Sequence, residues 1–146
     1  MPRRSGPTVF TVEDANSVIP DLRRTLPELR RVRRQIERLD DRVGILQILC
    51  DPPVTEGNPD LRELRSLRLR SEREISRFET ALSKMEESGH HLIDLDRGVV
   101  HFQARQGAVP ILLCWKEGEN EIRHWHSLEE GAPDERRRKP LSDPPG

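Results

Sequence analysis

A thiol and three imidazoles fall close together in this sequence: His101, Cys114, His124 and His126, the last two separated only by Trp125. Thiolate sulfur and imidazole nitrogen are the donors that zinc prefers, and three of them with an open fourth position can turn a bound water into a nucleophile. Asp94 is a further donor for such a set. Whether these groups meet depends on strand parity. Residues two apart on a strand share a face, so His124 and His126 go together and Trp125 points the other way.

Cys114 joins the histidines or leaves them according to the register of the hairpin that connects them. A four-residue loop at Glu117-Gly118-Glu119-Asn120 sets Lys116 opposite Glu121 and Cys114 opposite Arg123, which puts Cys114 with Trp125. Ile111, Leu113 and Trp115 then share a face with Ile122, His124 and His126. That register gathers the more apolar set and is the one expected. It splits the ligands, and no tight Cys-x-x-Cys or His-x-x-x-His pair supports a site. The sequence therefore predicts no cofactor, with zinc on Cys114, His124, His126 and His101 kept as the alternative.

A second group is acidic. Asp94 and Asp96 alternate along an extended stretch, where one carboxylate raises the pKa of the other if both are buried, and Arg97 can anchor an anion. Asp96-Arg97-Gly98 is equally a turn between strands, with Asp accepting backbone hydrogen bonds and Gly taking the positive φ, and the turn is the preferred reading. A third group is basic: Arg23, Arg24, Arg30, Arg31, Arg33, Arg34, Arg38 and Arg42, with the run Arg136-Arg137-Arg138-Lys139 further on. Phosphate binding needs a basic face unanswered by acids. Glu63, Glu72, Glu74 and Glu79 can face those arginines, and no aromatic interleaves with them to stack bases, so a solvated helix surface is expected.

The elements that must position these groups follow from the apolar rhythm. Thr11 can cap a helix whose first turn holds Glu13 and Asp14, and Pro20 predicts a kink or break soon after. From Leu22 the apolar positions run through Leu26, Leu29, Val32, Ile36, Leu39, Val43, Leu46 and Leu49 in steps of three and four, a narrow coiled-coil-like seam. Asp51-Pro52-Pro53 and Gly57-Asn58 interrupt it. Leu61, Leu64, Leu67, Ile75, Phe78, Leu82 and Met85 resume the spacing, with Ser71 as its weak position, until Gly89 supplies a left-handed cap. Beyond Gly89 the period becomes two, predicting strands over 91–96, 99–104, 109–116 and 121–127 joined by short turns.

The expected fold is thus α+β: a long antiparallel helical hairpin over 9–89 followed by a four-stranded antiparallel meander over 90–128, as a single domain. It lies between a disordered arm, 1–8, and a disordered basic tail, 129–146. A chain of 146 residues with 35% charged and 33% hydrophobic residues fits one core with long helices. Cys50 and Cys114 in apolar surroundings, with no charged and then apolar leader, predict reduced thiols and a cytoplasmic location. No apolar run reaches the about 18 to 20 residues that a bilayer span requires.

The motifs LDRG (Leu95 to Gly98), LCW (Leu113 to Trp115), GENEI (Gly118 to Ile122) and WH (Trp125-His126), preceded by FTVEDAN, carry a resemblance to the uncharacterised bacterial family DUF2203. The resemblance covers roughly residues 9–128 and implies no settled activity. Some members are labelled cell-division proteins, which the resemblance passes on only as a hint. The chain departs from the family pattern after WH, where Gly131 is followed by Ala132, and at His124, where Phe is common.

Taken together, the sequence predicts a non-catalytic interaction or scaffold protein that forms a homodimer through its helices and binds a partner or small ligand on the sheet. The residues expected to make that contact are Cys114, Trp115, Arg123, Trp125, His126, Asp94, Asp96 and Arg97. A metal-dependent or acid-base hydrolase sited on the sheet is the alternative, and nucleic-acid binding by the Arg-rich helix a lesser one.

Overall fold

The structure, a computed structural model, describes residues 9–51, 53–128 and 138–141. The expected arm and most of the expected tail lie outside these residues. Two compact units divide the chain: one combines the chain up to Pro27 with the chain from Leu82 onward, and the other is Glu28–Ala81. The elements are α1 (Val12–Leu49), α2 (Pro59–Glu87), β1 (His90–Asp94), β2 (Val99–Gln106), β3 (Val109–Lys116), β4 (His124–Ser127) and β5 (Lys139–Pro140). Helices followed by an antiparallel sheet make the fold α+β, as the change of rhythm after Gly89 predicts.

Helix α1 begins in a reciprocal cap. The Asp14 N–H donates to Thr11 Oγ1 at 3.0 Å while the Thr11 N–H donates to Asp14 Oδ2 at 3.1 Å, satisfying two donors that the first turn would leave open. Of the kink or break expected at Pro20, no break occurs, and α1 runs through both Pro20 and Pro27. Each proline removes a hydrogen bond and crowds the preceding turn, at a cost of about 3 kcal/mol in a helix interior. Both are exposed and stand one heptad apart on the solvent side, where water can take up the released carbonyls. Ile19, Leu22 and Leu26 are buried on the other side, and their packing holds the helix across the defects.

In the unit Glu28–Ala81, α1 and α2 form an antiparallel hairpin. Leu39, Leu46 and Leu64 are buried along it, and Arg42 reaches Glu63 through two hydrogen bonds of 2.9 and 3.1 Å. Ser71, the weak position of the seam, is buried with its hydroxyl donating to Asp40 Oδ1 at 3.1 Å. A polar side chain is tolerated there because it keeps a partner. Asn58 caps α2 by accepting the Asp60 N–H at 2.8 Å.

In the other unit the strands lie in the order β1-β2-β3-β4-β5, all antiparallel. Gly89 takes φ 92°, turning the end of α2 into β1. Phe10 continues the edge of β2 beyond β1, its N–H donating to Gln103 O at 2.7 Å and its ring packing edge-on against Phe102. One face of the sheet carries Val100, Phe102, Ala104, Ile111, Leu113, Trp115 and Trp125, all buried.

The end of the sheet differs from the expectation in two ways. The last strand of the predicted meander starts at His124 rather than Glu121, because the Ile122 N–H donates to Asn16 Oδ1 of α1 at 2.6 Å instead of to a strand. The segment read as tail supplies a fifth strand at Lys139–Pro140, held on β4 with the Leu141 N–H donating to Arg123 O at 2.9 Å.

Candidate functional site

The register of β3 on β4 decides what meets on the other face of the sheet. Cys114 stands opposite His124, Leu113 opposite Trp125 and Leu112 opposite His126. The expected register, with Cys114 opposite Arg123, is one residue out, and such a slip exchanges the two faces of a strand. Its cause is the connection. The chain does not close at a four-residue loop. Glu119 folds back, its carbonyl accepting Trp115 Nε1–H at 2.9 Å and its carboxylate accepting the Lys116 N–H at 2.7 Å, and Ile122 is drawn to Asn16 before β4 begins.

Cys114 consequently shares a face with the histidines. On β2, His101 stands opposite Cys114, so one row runs His101, Cys114, His124 across three strands, with His126 diagonal to Cys114. The ligand atoms of His101, Cys114 and His126 all lie within 4.8 Å of one another, and all three residues are buried. The two imidazole rings are 4.9 Å apart between centroids and inclined by 37°. His101 Nε2 is buried without a hydrogen-bond partner among the described residues. Burial first, then the neighbouring His126, His91 and the Arg138 charge, push the His101 pKa down to about 4, so the ring is neutral at physiological pH.

His124 occupies the row but turns away, its Nδ1 lying 3.4 Å from Glu119 Oε2. Glu119 also receives Arg138 Nη2–H at 2.7 Å, which brings the β5 segment onto the loop. Neither Glu119 nor Arg138 stands out in the sequence as a site residue. Glu119 is one acid in a turn, and Arg138 is one of a run of basic residues whose signal is bulk charge. Asn16, on a helix face far along the chain from the sheet, gave no signal at all.

The remaining expected contacts are separated by the fold. Trp115 is fully buried on the opposite face, as is Trp125, over whose ring Lys139 Nζ sits 4.8 Å from the centroid. Arg123 is exposed and pairs with Glu121 at 3.1 Å. Asp94 Oδ1 accepts the Arg97 N–H at 3.0 Å, serving the turn. Asp96 lies in that turn and not on the strand face of Asp94, in line with the preferred turn reading and against the paired-acid one.

On the hairpin the arginines are answered by acids, mostly on their own helix: Arg24 by Asp21, Arg31 by Glu28, Arg33 by Glu37 and Arg77 by Glu74. Of the acids expected to cross from α2, Glu63 meets Arg42 of α1, and the Glu74 charge acts on Arg31. Ile45, Ile48 and Leu49 project from α1 with exposures of 50%, 76% and 54%, and Leu69 of α2 is 59% exposed.

Among known proteins, no curated sequence and no solved structure matches this chain. Residues 8–141 match one family, described as an uncharacterised conserved protein, DUF2203.

Proposed function

The chain belongs to the DUF2203 family, which brings no established activity with it, and from that premise we propose that it is a non-catalytic interaction protein that self-associates through its helical hairpin. The observation that carries this reading is the aliphatic patch on the hairpin. Ile45, Ile48 and Leu49 follow the i, i+3, i+4 spacing of one helix face and are each at least half exposed. Covering a fully exposed side chain of this size is worth about 1.5 to 3 kcal/mol. Three such residues per chain give a two-fold interface its apolar centre. A second copy is the natural occupant, because two hairpins packed face to face complete a four-helix bundle.

Within this reading the sheet is a rigid platform. Cys114, Trp115, Trp125 and His126 are each at most 5% exposed, which favours packing over contact with a substrate and gives the hydrolase reading less support. Analytical ultracentrifugation tests the proposal. At about 50 μM the protein sediments as a dimer if the dissociation constant is about 1 μM or tighter. Ile48→Asp, at the most exposed position, shifts it to monomer without loss of helical circular dichroism. A wild-type monomer at that concentration refutes the proposal.

A further inference from the structure

We propose that His101, Cys114 and His126 form a metal site for a borderline dication of the zinc class, which staples three consecutive strands of the sheet. The ligand set comes first. Two imidazoles and one thiol, with no carboxylate, suit zinc and its neighbours in softness and disfavour magnesium and calcium, which demand oxygen. In a tetrahedral site with Zn–N of about 2.0 Å and Zn–S of about 2.3 Å, ligand atoms stand about 3.3 to 3.6 Å apart. The three side chains are already within 4.8 Å of each other, so closing on the ion requires small side-chain rotations and no movement of strands.

A second observation concerns one of the three ligands itself. His101 Nε2 is buried and has no hydrogen-bond partner among the described residues, and His101 as a whole is only 3% exposed. Leaving a buried polar atom unpaired costs about 1 to 3 kcal/mol, a cost that coordination of its lone pair removes. The Arg138 guanidinium, whose charge is felt at His101, is paired with Glu119 at 2.7 Å, so its repulsion of an incoming cation is reduced. Binding deprotonates the Cys114 thiol, and the proton leaves to solvent as the metal–sulfur bond forms.

The position of the ligands assigns the metal a structural task. One donor comes from each of β2, β3 and β4, and β4 has only four residues with which to fix its pairing. A one-residue slip of β4 would turn His126 to the opposite face and break the set, so the bound ion selects one register.

The test uses the full chain purified without an affinity tag and under reducing conditions. The proposal expects one zinc per chain by elemental analysis and, after chelation, uptake of one equivalent of Co(II) with a thiolate-to-metal charge-transfer band. Cys50→Ser keeps that band, since Cys114 remains the only thiol. Cys114→Ser loses it and weakens zinc binding by at least about a hundredfold, given that even ligands' outer partners are worth 10- to 100-fold. His124→Ala leaves stoichiometric binding intact. Absence of a charge-transfer band in folded Cys50→Ser protein overturns the proposal even if Cys114→Ser fails to fold. Loss of binding in His124→Ala overturns the assigned ligand set.

Discussion

His101 is a ring that the fold keeps uncharged. Buried in β2 with His126 and His91 beside it, its pKa falls from an ordinary 6.5 to about 4. From about pH 7.5 upward the ring is neutral in both the folded and the unfolded chain, and contributes no pH dependence. As pH falls below 6.5, the unfolded chain takes up a proton that the folded one refuses, and stability drops until the folded pKa is reached. Metal-free protein should lose about 2 kcal/mol from this group between about pH 7.5 and about pH 5. His90, whose pKa is lowered by burial and then by His91, adds to the loss with the same sign. Urea unfolding at the two pH values measures it. His101→Gln should shrink the difference, and an identical difference in wild type and variant would show that the ring is not held as described. Residue roles of this kind were only partly legible in the sequence. Gly98 was readable from Asp-Arg-Gly, and its φ of 70° together with the 2.5 Å that a Cβ would leave to Glu117 Cβ shows why only glycine serves there. The burial of His101 was not, because a histidine on a strand looks the same whichever face turns inward.

At the level of elements, the sequence announced the helices and strands by rhythm but could not choose the pairing of β3 with β4. The deciding contacts join residues far apart in the chain. The Asn16 side chain on α1 accepts the Ile122 N–H at 2.6 Å, and Glu119 folds over Trp115. Apolar matching favoured the neighbouring register because it counted Ile122 as part of a strand, whereas that residue is committed to the helix. Asn16→Ala should destabilise the protein by about 1 to 3 kcal/mol, the cost of stranding a part-buried donor. Hydrogen exchange adds a sharper readout, since the Ile122 amide should lose protection while the β2 amides keep theirs. Equal protection at Ile122 in the variant would mean that Asn16 does not set where β4 begins. The two internal prolines teach a related lesson. A local rule predicted a kink or break in α1, and the helix runs on without a break, with Ile19, Leu22 and Leu26 buried on the far side.

For the molecule as a whole, charge is distributed as short-range pairs over a chain with formal net charge -1. In the arginine run that suggested nucleic acid, Arg24, Arg31, Arg33 and Arg42 are paired with acids one turn away or across the hairpin. Pairs this exposed add little stability, yet they lower the field that a phosphate backbone would feel. Duplex DNA should therefore bind no better than non-specifically, with a dissociation constant of about 1 μM or weaker at physiological salt. Fluorescence anisotropy with a labelled duplex decides it, and tighter, steeply salt-dependent binding would restore the nucleic-acid reading.

The boundary between the two compact units falls inside helices on both passes of the chain, after Pro27 in α1 and after Ala81 in α2. No loop marks the junction, so the arms can be lengthened or shortened by equal whole-heptad steps on each side while every strand pairing stays as it is. Evolution, or a protein engineer, can thus set the reach of the arms without redesigning the platform that carries the histidines and the thiol.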